Sequence, residues 1–210
     1  MEAILFDLDN TLYPAERELF NLIDVRINRY MHEVAGIALG EVDLLRRRYW
    51  IDYGVTLQGL IRHHGVDPED YLEYVHDVDI GSRIEVDLEL RAALRGVTLR
   101  KVVFTNGSSG HARRVLTRLG VEDLFERIYD IRIAGYQPKP FAEPYHRVLE
   151  HLGVDPRRCV MVEDSLENLR TAKALGMGTI LVGPATEADF VDVCVAGAAQ
   201  VPQVLPLFGP

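Results

Sequence analysis

Apolar residues along the chain follow two rhythms. Short unbroken runs read as buried strands: Ala3–Phe6 (AILF), Lys101–Thr105 (KVVFT), Ile128–Asp130, Arg158–Val162 (RCVMV) and Thr179–Val182, with an edge strand over Phe190–Val195. Runs this short, with no polar alternation, suit strands covered on both faces. Between them the apolar positions fall at helical spacing over Leu88–Leu94, Gly110–Leu119, Pro144–Leu152 and Leu166–Leu175, with a short helix near Val201–Leu207. Glycines at 96, 120, 153 and 176 close the longer ones. Strands separated by single helices predict right-handed crossovers and an α/β fold built on a parallel sheet.

One block breaks the alternation. From Ala15 to Val78 only the helical rhythm is present. Leu19, Phe20, Leu22, Ile23, Ile27, Tyr30 and Met31 predict a helix over Ala15–Glu33. Further helices are predicted over Glu41–Asp52, over Thr56–His64, and from Pro68 to about His76, with Pro68 at a first helical position. The expected organisation is an α/β core of residues 1–14 and 82–210. An all-helical cap of residues 15–81 is inserted into it, hinged near Tyr13-Pro14 and Gly81–Val86.

The 210 residues suffice for such a core plus a small insertion. A net charge of −9 argues against a nucleic-acid polymer as partner, because a polyanion is bound by a basic face. Small anions remain open if a metal and local cations offset the field. Cys159 and Cys194 each sit in an apolar run, which predicts two buried thiols and a reducing setting. The chain opens directly into a core strand and has no long apolar run, so the expectation is a cytoplasmic protein without a leader or membrane span.

Four predicted strand ends carry chemistry. The first strand runs into Asp7-Leu8-Asp9, two carboxylates that could hold a divalent cation or act as nucleophile and general acid/base. The second runs into Thr105-Asn106-Gly107-Ser108, a hydroxyl and free N–H groups suited to phosphate. Lys139 is held between Pro138 and Pro140, which stiffen the backbone and aim the ammonium. Another strand ends in Glu163-Asp164-Ser165, where Asp164 could complete an oxygen cage for Mg2+. Each stretch alone could be a helix cap or a solvated turn. Four in series supply a nucleophile, an acid, phosphate ligands, a cation and a metal site.

With these motifs in this order, the chain resembles the haloacid dehalogenase superfamily of phosphohydrolases over nearly its whole length. The resemblance implies a Rossmann-like core with a helical cap, Asp7 as nucleophile and Asp9 as general acid/base. It implies Mg2+ on Asp7, the Asp9 backbone carbonyl and Asp164, with Thr105 and Lys139 on the phosphoryl group and Asn106 assisting. The last motif departs from the Gly-Asp-Ser-x-x-x-Asp pattern, which leaves the roles of Glu163 and Asn168 open. Tyr49-Trp50-Ile51-Asp52-Tyr53-Gly54 and the following Gly59-Leu60 resemble the pyrimidine 5′-nucleotidase branch, as do Asp9–Tyr13 and the Glu163-Asp164-Ser165 variant. That implies a nucleotide substrate.

The expectation is a Mg2+-dependent phosphomonoesterase, a monomer or homodimer, acting on pyrimidine nucleoside 5′-monophosphates. Alternatives are a phosphatase of another small phosphomonoester, a phosphomutase of the same fold, or a non-catalytic Mg2+-binding module. Tyr49 and Tyr53, four apart on one helical face, either stack on a base or form the cap's own core. His63, His64, His111, His146 and His151 lack metal-ligand spacing and read as surface or core histidines. Arg46-Arg47-Arg48 reads as a solvated face or as a greeting for an anionic substrate.

Overall fold

The computed structural model describes residues 1–209. Its first strand, β1 (Ala3–Phe6), has no solvent-exposed side chain. Four helices follow: α1 (Leu19–Glu33), α2 (Val42–Tyr53), α3 (Thr56–His64) and α4 (Pro68–His76). The chain then alternates through α5 (Leu88–Arg95), β2 (Arg100–Phe104), α6 (Ser109–Leu119), β3 (Arg127–Tyr129) and α7 (Ala142–Leu152). It continues with β4 (Cys159–Glu163), α8 (Leu166–Ala174), β5 (Gly178–Val182), β6 (Val193–Val195) and α9 (Val201–Val204).

The six strands form one parallel sheet in the order β3-β2-β1-β4-β5-β6. Side chains alternate across β1, and both faces are covered. Ile4 and Phe6 join Val115 and Leu116 of α6 in one apolar layer. Ala3 and Leu5 join Tyr145 and Val148 of α7 in the other. This is why the strands read as continuous apolar runs and not as alternating ones. The order reverses at β1: the chain builds outward through β2 and β3, then returns to place β4 on the other side. Such a reversal opens a crevice at the carboxyl ends of the strands.

The four inserted helices share a third apolar cluster, which includes Ile27, Tyr30, Tyr49, Leu60, Leu72 and Val75. Gly59 is required there: a Cβ at that position would lie 2.0 Å from the Tyr49 ring. Asp67 caps α4 by accepting from the N–H groups of Glu69 and Asp70, with Pro68 at the first helical position. Polar contacts that tie the cap to the core include Gln58 Nε2 to the Tyr136 carbonyl at 2.7 Å, Arg132 to Glu69 at 2.7 Å and the Tyr136 hydroxyl to Glu69 at 2.5 Å.

Element ends differ from expectation for local reasons. The first cap helix begins at Leu19, not Ala15, because Glu18 is left-handed (φ 54°) and cannot continue a right-handed helix. The last strand begins at Val193, not Phe190, because Asp192 turns its carboxylate back onto the backbone N–H and hydroxyl of Thr179. Cys159 is buried, Cys194 is only partly so, and both thiols are free. Among the described residues no helix is long and apolar enough to cross a membrane.

Candidate active site

Strands β1, β2 and β4 are neighbours in register, with Phe6 beside both Val103 and Val162. The residues that follow them therefore leave the sheet at one edge. Asp7 continues the ladder for one more bond, N–H to the Val162 carbonyl at 2.9 Å. Asn10 then takes a left-handed conformation (φ 63°), and the N–H groups of Thr11 and Leu12 turn back onto the Leu8 carbonyl. This turn keeps Asp7 and Asp9 on the same edge. Asparagine suits it, being among the few residues that visit this conformation readily.

Lys139 is the buried centre of the site, 1% exposed. Its Nζ donates to Asp7 Oδ1 at 2.7 Å, to Glu163 Oε1 at 2.7 Å and to the Phe104 carbonyl at 2.8 Å. All three ammonium hydrogens are thus used. Asn106 holds the lysine's backbone at both ends: its Oδ1 accepts from Lys139 N at 2.8 Å and its Nδ2 donates to Lys139 O at 3.0 Å. The structure thus occupies Asn106 with placing the lysine loop. Thr105 is buried with its Oγ1 accepting from Gly107 N at 2.9 Å, which leaves its hydrogen free for a ligand.

The fourth motif divides its labour. Glu163 is 1% exposed and accepts from Lys139, from Asn168 Nδ2 at 2.5 Å and from Ser165 N at 2.8 Å. Asn168 therefore stands behind Glu163, and Glu163 behind Lys139. Asp164 is open to solvent, with one weak contact from Thr11 Oγ1 at 3.4 Å. Carboxylate oxygens of Asp7, Glu163 and Asp164 lie within 4.8 Å of one another. Burial and the neighbouring Glu163 charge raise Asp7 well above the usual carboxylate range, although Lys139 opposes them. Loss of solvation, then Glu163, push Asp164 up to about 7. Burial works against the Lys139 ammonium, but Asp7 and Glu163 outweigh it and push the group up to about 12.

Asp9 has different company. Its Oδ1 accepts from the Tyr13 hydroxyl at 2.6 Å and from His111 Nε2 at 2.9 Å. Burial alone would raise this carboxyl, but His111 and then Tyr13 outweigh burial and hold it below the usual range. Neither partnership is legible in the sequence: His111 reads there as a surface or core histidine, and its usable signal is its place in the first turn of a helix that starts at the site's own edge.

A cavity of about 880 Å3 opens between this edge and the cap. Asp7, Asp9, Thr105, Asn106, Lys139 and Asp164 all line it. Tyr49 and Tyr53 do not. Tyr49 stacks on His63 at 5.5 Å and bonds His64, while the Tyr53 hydroxyl meets His63 Nε2 at 2.8 Å. Both rings face α3 within the cap. One residue along a helix turns a side chain by about 100°, and Trp50, 58% exposed, lines the cavity instead. The three arginines separate in the same way. Arg46 and Arg47 both line the cavity, but Arg46 is taken by Asp24 and Asn28, whereas Arg47 has no protein partner among the described residues; Arg48 pairs with Asp52.

The family model for haloacid dehalogenase-like hydrolases matches residues 1–176. The chain belongs to this family. Among curated relatives of this haloacid dehalogenase-like hydrolase, phosphate metabolism protein 8 of Saccharomyces cerevisiae is 26% identical over 197 residues, covering 86% of this chain. The chain spans only 61% of that relative's length. A phosphorylated carbohydrates phosphatase of Thermotoga maritima is 29% identical over 188 residues, covering 86% of this chain and 84% of the relative. The solved structure of CbbY from Rhodobacter sphaeroides in complex with phosphate matches with a TM-score of 0.67 at 22% identity over 96% of each chain, which shows the shared fold.

Mg2+ is the ion this family implies, and the donor set fits it. Three crowded carboxylates face one ammonium, an excess of negative charge that a divalent cation would relieve. Asp7 and Asp164 have oxygens to offer, whereas Glu163 already holds three donors. Asp164→Ala is therefore expected to raise the Mg2+ concentration for half-maximal activity by roughly tenfold or more, since few protein ligands hold this ion. A metal titration of activity checks it, and an unchanged requirement would move the ligand role to Glu163.

Proposed function

We propose that this phosphoric monoester hydrolase acts on pyrimidine nucleoside 5′-monophosphates and releases nucleoside and inorganic phosphate. Trp50 carries the reading. It is a largely open indole on the cap wall of the cavity whose sheet edge holds Asp7. An exposed ring facing a phosphate site is a platform on which a flat base stacks. Arg47 beside it supplies positive charge to the same cavity. The volume lies within the roughly 300–1,000 Å3 of sites that envelop a small ligand.

In this reading Asp7 attacks phosphorus, the ester bond to the ribose oxygen breaks, and an aspartyl-phosphate forms. Asp9 gives its proton to the departing oxygen, then takes one from the water that hydrolyses the aspartyl-phosphate. A bound phosphomonoester anion favours the protonated form of Asp9 and so opposes the effect of His111 and Tyr13. The Thr105 hydroxyl holds a phosphoryl oxygen, and the Lys139 ammonium turns the hydrogen it gives to Asp7 toward another as Asp7 bonds to phosphorus. Mg2+ on Asp7, Asp164 and the Asp9 backbone carbonyl would supply further positive charge there. The cap covers the cavity and selects the leaving group.

The test is a substrate panel with a cap variant. The wild type is expected to cleave UMP and CMP better than AMP or GMP, because a closed cap rejects the larger base. Trp50→Ala should lower kcat/KM for UMP and CMP by roughly 5- to 150-fold, the equivalent of about 1–3 kcal/mol of stacking, and nearly spare a small aryl phosphate. The name of the Thermotoga maritima relative favours a second reading, a sugar-phosphate substrate. Faster cleavage of a small sugar phosphate than of any nucleotide would select that reading.

A further inference from the structure

His111 is buried on α6 and donates its Nε2–H to Asp9 Oδ1. A carboxylate only accepts, so this nitrogen carries the hydrogen. The other ring nitrogen, Nδ1, is the single buried side-chain polar atom without a partner among the described residues. With no acceptor near Nδ1, Nε2 is the nitrogen through which the ring donates. The Tyr13 hydroxyl occupies the same carboxyl oxygen at 2.6 Å. Two donors on Oδ1 fix the plane of the carboxyl group and leave Oδ2 as the atom without a bond to protein.

The ring of His111 is itself held from the cap. His76, the last residue of α4, stacks on it with centroids 4.6 Å apart and planes 19° from parallel. His76 Nδ1 lies 2.8 Å from the Leu72 carbonyl of its own helix and 3.1 Å from Ser108 Oγ, the cap residue of α6. Ser108 Oγ also accepts from the backbone N–H of His111. Arg114 of α6 donates to the His76 carbonyl. A shift of α4 against α6 therefore moves the His76 ring relative to His111, and with it the support behind Asp9.

We infer that His111 is a positioning residue that aims Asp9 at the leaving oxygen, and that the cap sets it through the His76 ring. The inference rests on the acid role of Asp9 proposed above. A proton donor must lie within hydrogen-bond reach of the leaving atom, and a misplacement of about 1 Å costs on the order of 10²-fold.

The experiment compares kcat/KM for an alkyl phosphate, whose leaving group needs a proton, with p-nitrophenyl phosphate, whose leaving group does not. This constant reports the steps up to the aspartyl-phosphate. Asp9→Asn is run alongside. His111→Leu keeps an apolar side chain of similar bulk and should lose roughly 10- to 100-fold on the alkyl ester and less than about threefold on the aryl ester. His111→Gln, which can still place an N–H on Asp9, should recover most of that loss. His76→Ala should show the same ester dependence at about tenfold. A His111→Leu loss equal on both esters, with a lowered thermal midpoint, would assign the residue to packing and overturn the inference. So would a His76→Ala variant with the wild-type ester ratio, for the part played by the cap. If Asp9→Asn itself lacks the ester dependence, the acid assignment fails; if it shows the dependence and His111→Leu loses nothing, only the present inference fails.

Discussion

Asp7→Asn is expected to lower turnover by at least ~10³-fold, because an amide cannot form the acyl-phosphate. The same substitution should leave the fold intact. Asp7 is buried among Glu163 and Asp164, and its charge is opposed by burial first and by Glu163 next. An asparagine keeps an oxygen for Lys139 and removes one of the crowded charges. The thermal midpoint of the variant should therefore equal or exceed that of the wild type when no Mg2+ is added. Activity and thermal melts on one preparation decide it. Activity that survives, with mass spectrometry excluding deamidation back to aspartate, would remove Asp7 as nucleophile.

The second large effect belongs to Lys139. Lys139→Met keeps the length of the side chain and deletes the charge that Asp7 and Glu163 share. Breaking a buried ion pair from one side typically costs about 3–5 kcal/mol, so the variant should be strongly destabilised in urea melts. Turnover should also fall by roughly 10²–10³-fold, the loss seen when one donor to a developing anion is removed. The defect should deepen as pH rises. Asp7 already has its folded pKa raised above the ordinary 3.8, and removing Lys139 raises it further. The folded variant then holds a proton that the unfolded chain has released, and stability is lost as pH climbs from 3.8 through the folded value. Added Mg2+ should restore part of the loss by neutralising the same carboxylates. Wild-type stability in Lys139→Met would mean that the carboxylate cluster is not held together by this ammonium.

The contrast between these two residues follows from their surroundings. In the proposed mechanism Asp7 is a nucleophile kept in an unfavourable electrostatic setting, so removing its charge should relieve the fold and end the chemistry. In the same proposal Lys139 serves fold and chemistry together, so its loss should damage both. Stability and activity measured side by side thus separate a nucleophile from the group that makes it tolerable.

Much of this was legible along the chain because its causes are local. A strand covered on both faces reads as an unbroken apolar run, and β1 appears as AILF for that reason. Helix α3 stops at Gly65 and α4 starts at Pro68, where glycine and proline chemistry place them. The fold class, an α/β parallel sheet with inserted helices, follows from the order of such elements. So does the gathering of Asp7, Thr105 and Asp164, because each directly follows a strand and parallel strands bring their carboxyl ends to one edge.

What the tertiary structure alone decided is which groups meet once those strands are aligned. Period and spacing place Tyr49, Trp50 and Tyr53 on a helix but carry no record of which face α3 will cover; packing turned the tyrosines inward against Gly59, His63 and His64 and left Trp50 to the cavity. Glu163 lies behind Lys139 by a contact between the end of β4 and a loop 24 residues upstream of it. His111 reaches Asp9 across 102 residues, and His76 reaches His111 from within the inserted helices. Local sequence encodes hydrophobic period, capping and the ends of strands because these depend on near neighbours. Hydrogen-bond partners far apart in the chain depend on how whole elements are laid together, and only the folded molecule specifies that.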